Sequence, residues 1–242
     1  MTSPKPSSQS QRVSLGMISD GSPAGASGPM RYRFSDDLVT LSDARPVEAE
    51  AIRTVRTHII NRHLEGGRRG LAVCAPTSGV GRSFTAVNLA VSLAQVGVAT
   101  LLIDGNMRAP QVQNFIRPEA SSIGLAQCVS SEDLPFNDFV HPDVIPNLSV
   151  MFAGGVADNA QELLDSDPFR LLTVQCLRDF EFTIIDTPPA NRCADARRIA
   201  TLVRYALIVA KANVTRSNDV FDLAKNLQED GAGIVGTVMS EA

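Results

Sequence analysis

The sequence predicts an α/β fold whose sheet is predominantly parallel and carries helices on both faces. Short, nearly continuous apolar runs, such as residues 71–75 and 182–185, alternate with longer segments of helical periodicity. Strands without polar alternation are typical of parallel sheets, which are buried on both faces. Two of the runs end in a carboxylate, Asp104 and Asp186, at the strand end where open α/β sheets bind their ligands.

Each element follows from its local pattern. Pro46 precedes the first predicted helix, which ends before Gly66 and Gly67. The predicted helices are 47–64, 83–96, 168–178, 195–202 and 218–229. The predicted strands are 71–75, 100–104, 148–152, 182–186, 205–210 and 233–239. The stretch 83–103 carries no charge, but its polar residues recur at helical spacing and Gly97 breaks it, which predicts a helix and a strand rather than a membrane span.

Domain organisation is predicted to be simple. Residues 1–30 are rich in Ser, Gly and Pro and poor in large apolar side chains, which is the composition of a disordered segment. We therefore expect residues 1–45 to be a disordered tail and linker. Residues 46–242 are expected to form one folded domain.

Composition excludes several classes of function. The 242 residues are 44% hydrophobic and include 22 basic and 26 acidic side chains, for a net charge of −4. Proteins that wrap nucleic acid need an excess of basic groups, so no nucleic-acid partner is expected. The four cysteines form no C-x-x-C pair and lie far from the three histidines, which argues against a zinc site and a disulfide framework. With no apolar leader visible, a cytoplasmic location is expected.

The loop after the first predicted strand has the position of a phosphate-binding loop. It reads PTSGVGRS over residues 76–83, between a strand and a helix. Backbone N–H groups and a helix N-terminus provide positive dipoles for a polyphosphate at such a place. Gly81 and Ser83 match the pattern G-x-x-x-x-G-K-[ST]. Pro76 replaces the first glycine and Arg82 replaces the lysine. A glycine-rich turn without a ligand is the alternative for this loop taken alone.

The two carboxylates at strand ends favour phosphate binding. Asp186 precedes the sequence TPP and can hold Mg²⁺ through water, as a Walker B aspartate does. Asp104 opens the segment DGNMRAP at the end of another strand. These three elements in this order predict a P-loop NTPase fold.

Together the motifs resemble the bacterial tyrosine kinases of capsule and exopolysaccharide systems, which are P-loop proteins of the MinD/ParA kind. The resemblance runs from about residue 45 to the C-terminus. Besides the loop and the Asp186 segment, it is carried by E-x-x-R-x-x-R at 50–56, LIDGNMRAP at 102–110, and GG followed by N-x-x-E-L-L within 154–164. The first of these looks like the family's oligomerisation helix, and the second resembles its second Walker motif, D-x-D-x-R.

The resemblance implies binding of ATP and Mg²⁺, transfer of the γ-phosphate to tyrosine, and a Wzz-like membrane polysaccharide co-polymerase as partner. The nucleotide would contact Gly79, Val80, Gly81, Arg82, Ser83 and Phe84. Ser83, Asp104 and Asp186 would hold the metal. The catalytic residues would be Asp104, Arg82 and Asp186, with Arg82 clamping phosphate and Asp104 acting on the acceptor hydroxyl or the metal. Glu50, Arg53 and Arg56 would mediate homo-oligomerisation.

Departures from the family pattern predict that kinase activity is reduced or lost. Arg82 keeps the charge of lysine but not its shape. Asn106 stands where the family has its second aspartate, and an amide cannot act as a base. Ser240 replaces an adenine-contacting asparagine, and the chain stops at Ala242 without the family's cluster of tyrosines.

The two tyrosines limit self-phosphorylation. Tyr205 begins a predicted strand and is expected to pack there. Tyr32, within MRYRF, is the one plausible phospho-acceptor, and an unmodified linker residue is the alternative.

Three functions are compatible with these patterns. The favoured one is an ATP-binding regulator of polysaccharide synthesis or export, held at the inner face of the membrane through its partner. The alternative is an active tyrosine kinase that phosphorylates a partner or Tyr32. A positioning ATPase of the MinD/ParA type is less favoured, because Thr77 stands where those proteins carry a signature lysine.

Overall fold

Seven strands form one central sheet in the computed structural model of the chain, which describes residues 31–120, 123–131 and 135–241. The strands are β1 (Tyr32–Phe34), β2 (Gly70–Cys74), β3 (Thr100–Asp104), β4 (Ile116–Pro118), β5 (His141–Ile145), β6 (Leu148–Met151), β7 (Phe182–Asp186), β8 (Tyr205–Lys211) and β9 (Gly233–Ser240). The central sheet has the order β5-β6-β3-β7-β2-β8-β9, and β1 pairs with β4 in a separate ribbon. Only β5 runs antiparallel to its neighbour in the central sheet, as its pairing with β6 shows.

Helices connect the parallel strands. They are α1 (Pro46–Ile59), α2 (Arg82–Ala94), α3 (Val112–Phe115), α4 (Leu125–Ser130), α5 (Ala160–Asp165), α6 (Asp167–Asp179), α7 (Asp195–Val203) and α8 (Ser217–Glu229). A π-helical turn, Ile60–Leu64, extends α1, and a 3-10 turn covers Phe136–Phe139. The predicted elements are all present, with most ends shifted by one or two residues.

The elements that sequence patterns did not predict are short or irregular. The helices α3, α4 and α5 have four to six residues and are too brief to show a helical period. Strand β5 contains Pro142, and Asp143 adopts a positive φ of 47°, so its sequence lacks apolar alternation. Its pairing at the edge of the sheet is compatible with such irregularity.

Two hydrophobic cores cover the two faces of the sheet. Along β2, Leu71 and Val73 pack into the core that contains α2, whereas Ala72 and Cys74 pack into the core formed with α4 to α8. Because both faces are covered, all five residues of β2 are buried. The three-layer organisation predicted from uniformly apolar strands is confirmed.

The segment before α1 differs from the predicted linker. Strand β1 pairs with β4, and Leu38 and Val39 are buried. Two side chains, Asn88 on α2 and Gln95 at its C-cap, hold the segment further, since the amide of Asn88 donates to the Asp37 carbonyl at 3.0 Å and that of Gln95 to the Thr40 carbonyl at 2.8 Å. Residues 31–45 are therefore part of the folded domain, while the predicted tail, residues 1–30, lies outside the described residues.

The parallel arrangement positions the site. The carboxyl ends of β2, β3 and β7 meet at one edge, and Asp104 and Asp186 are direct register partners on adjacent strands. Within the described ranges, no helix combines the length and apolarity needed to cross a membrane.

Candidate nucleotide-binding site

The loop between β2 and α2 has a backbone that glycine makes possible. Gly79 and Gly81 have φ values of 75° and 85°, in the left-handed region that L side chains rarely adopt. A Cβ on Gly81 would also lie 3.2 Å from the Ser240 hydroxyl oxygen at the end of β9. Gly81 is the N-cap of α2, so the unpaired N–H groups and positive dipole of the first helical turn lie beside this loop.

A cleft of about 450 Å³ opens over the loop. Its lining includes the guanidinium-bearing residues Arg82, Arg108 and Arg192 and no Asp or Glu among the described residues. The other lining residues are Thr77, Ser78, Gly79, Gly81, Ser83, Phe84, Asn106, Ala109, Gln111, Phe115, Pro188, Pro189 and Cys193. This concentration of positive charge at a helix N-terminus suits a polyphosphate.

At the base of the cleft, Arg82 and Ser83 both bind Asp186. Arg82 Nε donates to Asp186 Oδ1 at 2.7 Å, and the Ser83 hydroxyl donates to Asp186 Oδ2 at 2.5 Å. The side chain of Arg82 is 8% exposed and that of Asp186 is fully buried. One carboxylate thus holds both the residue in the lysine position of the loop and the hydroxyl next to it.

Asp104 lies beside this group but is held by the backbone. Oδ1 accepts the N–H of Asn106 at 3.1 Å, and Oδ2 accepts those of Gln111 and Val112 at 2.9 Å each. Burial, followed by the negative charge of Asp186, raises the pKa of Asp104 to about 7, although the three N–H groups oppose the rise. Asp104 is only 1% exposed and is not among the residues that line the cleft.

Asn106 is bound to its own loop. Its Nδ2 donates to the Ala109 carbonyl at 2.6 Å, and its Oδ1 accepts the Ala109 N–H at 3.3 Å. The side chain therefore stabilises the turn after β3.

Arg108, two residues further along, binds the buried carboxylate of Asp195 through two donors, Nε at 2.8 Å and Nη2 at 3.4 Å. Sequence reasoning did not assign Arg108 or Asp195 to the site. The available signals were the arginine in the second Walker-like segment and an acidic residue in the first turn of α7.

The remaining predicted nucleotide contacts differ in how they face the cleft. Val80 is buried in the core around α2, so its backbone alone can face a ligand. Phe84 lines the cleft but also packs against Val39 and Ala49, with the Arg45 guanidinium 5.5 Å from its ring centre.

The predicted oligomerisation residues lie on α1. Glu50 and Arg53 form an exposed pair at 3.2 Å within that helix. Arg56 instead donates to Ser92 on α2, with Nη1 at 3.2 Å from the hydroxyl and 3.4 Å from the carbonyl oxygen. Arg56 thus joins α1 to α2.

Neither tyrosine is placed as a free acceptor. The hydroxyl of Tyr32 lies 3.0 Å from His141 Nδ1, whose ring packs edge-on against Phe152, and burial raises the pKa of Tyr32. Tyr205 packs edge-on against His63, as expected of a packing residue. The flexible environment predicted for Tyr32 is therefore wrong, because β1 is paired with β4.

A comparison with known proteins identifies the family. The chain is 30% identical over 193 residues to CapB of Staphylococcus aureus, which is assigned by name to the tyrosine-protein kinases, and the match covers 80% of this chain and 84% of CapB. The chain belongs to the bacterial tyrosine-kinase family. No protein-family model matches the sequence of this family member.

Solved structures extend the comparison for this bacterial tyrosine-kinase homologue. The chimerical protein CapA2B2 has a TM-score of 0.76 at 25% identity, covering 88% of this chain and 93% of that chain. The septum site-determining protein MinD of Pyrococcus horikoshii, solved with Mg-ADP, has a TM-score of 0.59 at 17% identity, covering 71% and 69% of the two chains, and shares the fold alone. The predicted P-loop NTPase fold is confirmed.

The donors present do not fit a directly bound Mg²⁺. Mg²⁺ needs several oxygen ligands at about 2.0–2.1 Å in octahedral geometry. Both oxygens of Asp186 already accept hydrogen bonds, one of them from a guanidinium, and both oxygens of Asp104 accept backbone N–H groups. No group of three His, Cys, Asp or Glu residues that could hold a metal occurs in the described part of the chain.

Proposed function

We propose that this member of the bacterial tyrosine-kinase family binds ATP in the cleft and regulates capsule or exopolysaccharide synthesis or export, with its kinase activity reduced or lost. The observation that carries the proposal is the buried bond between Arg82 and Asp186 beneath a cleft rich in positive charge. Its two parts, retained binding and weakened transfer, have separate support.

Retained binding is supported by the loop and the cleft. The left-handed glycines preserve the loop backbone, and α2 directs its N-terminal N–H groups toward the loop. Arg192 adds positive charge at the cleft wall, and Arg108, which also binds Asp195, adds guanidinium donors. These features recognise phosphate through backbone dipoles and guanidinium groups and do not depend on a lysine in the loop.

Weakened transfer is supported by the state of the three groups that would act on the phosphate or the acceptor. Arg82 is turned toward Asp186, whereas phosphoryl transfer depends on exact placement of charge around the phosphate. Asn106 carries no negative charge and cannot accept a proton from a hydroxyl. Asp104 has a pKa suited to a base at neutral pH, but its buried oxygens are occupied and lie outside the cleft lining.

Restoration of the two family residues tests the proposal. In the full chain, Arg82→Lys combined with Asn106→Asp is expected to raise phosphorylation of a poly(Glu,Tyr) acceptor by at least about tenfold, since a tenfold rate change needs only ~1.4 kcal/mol of transition-state stabilisation. Arg170→Lys, an exposed Arg-to-Lys change on α6, serves as the matched control. A wild-type chain that phosphorylates the acceptor as fast as the double variant would show that it is an active kinase and would contradict the proposal.

The proposal includes a cytoplasmic location at the inner face of the membrane and a co-polymerase partner. This part rests on the family resemblance. We further propose that the chain forms homo-oligomers through the outer face of α1, where Glu50 and Arg53 are exposed together with Thr54 and His58. Arg56 is expected to contribute less, because it is bonded to Ser92.

Reversal of one charge tests the oligomerisation surface. Arg53→Glu places two like charges three residues apart on one helix face, which is unfavourable within the helix and removes the cation offered to a neighbouring subunit. Sedimentation velocity is expected to show an oligomer for the wild-type chain and a monomer for the variant. Arg170→Glu on α6 is the control, and an oligomer that survives Arg53→Glu would exclude this surface.

A further inference from the structure

The pair between Arg82 and Asp186 places a permanent cation against the carboxylate that the family resemblance assigns to a metal. Nε of Arg82 is 2.7 Å from Oδ1 of Asp186, and the two side chains are 8% and 0% exposed. Arginine keeps its charge at all accessible pH values. The single negative charge of Asp186 is therefore already matched within the protein.

Direct coordination of a divalent cation by this carboxylate would compete with both of its hydrogen bonds. The second oxygen of Asp186 accepts the Ser83 hydroxyl, so the hydroxyl and the carboxylate that would coordinate a metal are bonded to each other. A metal ion at Asp186 would also lie next to the guanidinium and be repelled by it. Separation of a buried pair leaves a charge without a partner, which is strongly unfavourable.

The neighbouring side-chain oxygens of Asp104 and Asn106 also accept hydrogen bonds. The oxygens of Asp104 accept the N–H groups of Asn106, Gln111 and Val112. The Oδ1 atom of Asn106 accepts the N–H of Ala109. Both carboxylate oxygens of Asp104 and of Asp186, and Oδ1 of Asn106, thus each accept a hydrogen bond from the protein itself.

The guanidinium retains donors for a phosphate. A guanidinium carries five N–H groups, and the bond to Asp186 uses the one on Nε. Nη2 lies 3.4 Å from the Ser83 hydroxyl oxygen, and Arg82 is part of the cleft lining despite its burial. Arginine can therefore bind Asp186 on one edge and a phosphate oxygen on another, which a lysine ammonium with its compact charge does less well.

We propose that Arg82 occupies the carboxylate of Asp186 at which a divalent cation would bind, so that the cleft binds the polyphosphate of a nucleotide in its metal-free form. The inference rests on the proposed nucleotide binding and adds the form of the ligand. The phosphates would instead be bound by the remaining N–H groups of Arg82, by Arg108, which also binds Asp195, and by Arg192.

The test measures the affinity of the full chain for a fluorescent ATP analogue, once in excess EDTA and once in excess MgCl₂. For the wild-type chain we expect the two dissociation constants to agree within about threefold, a difference below ~0.7 kcal/mol. For Arg82→Lys we expect binding in EDTA to be weaker than in MgCl₂ by at least about tenfold. A compact ammonium lacks the second donor edge of a guanidinium, so it cannot hold Asp186 while it binds a phosphate, and Asp186 is left free for a metal. Arg170→Lys should behave as the wild type, and thermal melts verify that each variant is folded.

A second readout follows the metal directly. Electron paramagnetic resonance of free Mn²⁺, titrated with chain and nucleotide, is expected to show no retention of Mn²⁺ by the wild-type chain beyond that of the nucleotide alone, and retention by Arg82→Lys. Wild-type binding that requires MgCl₂ would overturn this inference and leave the proposed function standing. Absence of nucleotide binding under both conditions would overturn both.

Discussion

Replacement of Asp186 by alanine is expected to lower the free energy of unfolding by about 3–5 kcal/mol, the range observed when one partner of a buried ion pair is removed. Arg82 is 8% exposed and would keep its charge without a carboxylate beside it. The Ser83 hydroxyl would lose its acceptor as well. Urea denaturation measures the change. It is followed by far-ultraviolet circular dichroism, because the chain has no tryptophan to serve as a fluorescence probe.

An exposed ion pair serves as the control, and a double variant removes both charges of the buried pair. Glu229→Ala removes one member of an exposed pair, Lys225 and Glu229, and should change stability by less than about 0.5 kcal/mol. Arg82→Met combined with Asp186→Leu removes both buried charges and is expected to recover most of the stability lost in Asp186→Ala. A loss below about 1 kcal/mol in Asp186→Ala would mean that water already solvates the guanidinium, contrary to the buried pair described here.

Replacement of Phe152 by alanine is expected to destabilise the chain by about 3–5 kcal/mol, as large-to-small changes at buried aromatic positions do. Phe152 is 2% exposed, and its ring packs edge-on against His141 with the ring centres 4.9 Å apart. His141 in turn accepts or donates the hydrogen bond with the Tyr32 hydroxyl. The cavity would therefore loosen the contact between β1 and the central sheet.

Tyr32 reports this loosening independently of stability. Burial raises the pKa of Tyr32, so greater exposure in Phe152→Ala should lower it toward the ordinary value of about 10. Phenolate absorbance in a Tyr205→Phe background follows Tyr32 alone, because the chain has two tyrosines. Phe221→Ala, at an exposed position of α8, is the matched control and should leave both stability and the Tyr32 titration nearly unchanged. An unchanged titration in Phe152→Ala would show that the Tyr32 environment does not depend on Phe152.

Much of the fold was predictable because the parallel strands bury both faces. The nearly continuous apolar residues of β2 and β7 and the glycine-containing loop after β2 indicated the sheet and its ligand-binding edge. The same patterns could not predict β1 or the burial of Leu38 and Val39. An adjacent apolar pair in a largely polar stretch shows no period, and the pair is buried by packing against apolar residues elsewhere in the chain.

The sequence predicted which residues lie at the candidate site but not which hydrogen-bond partners they have. Strand ends and the loop motif brought Arg82, Ser83, Asp104 and Asp186 to one edge of the sheet, and the structure places them there. Whether Arg82 faces a phosphate or Asp186 depends on a competition between two electrostatic partners, which a one-dimensional pattern does not contain. Likewise, spacing could not show that three backbone N–H groups would take the oxygens of Asp104.

The segment before α1 determines where the independently folding domain begins. Asn88 on α2 and Gln95 at its C-cap donate to main-chain carbonyls of residues 37 and 40, so a fragment starting at Pro46 would lose both hydrogen bonds. The fragment would also uncover the apolar surface now under Leu38 and Val39, whose burial stabilises the fold. The smallest form of this domain that folds on its own therefore includes the residues from 31 onward, because residues 31–45 cover part of its hydrophobic core.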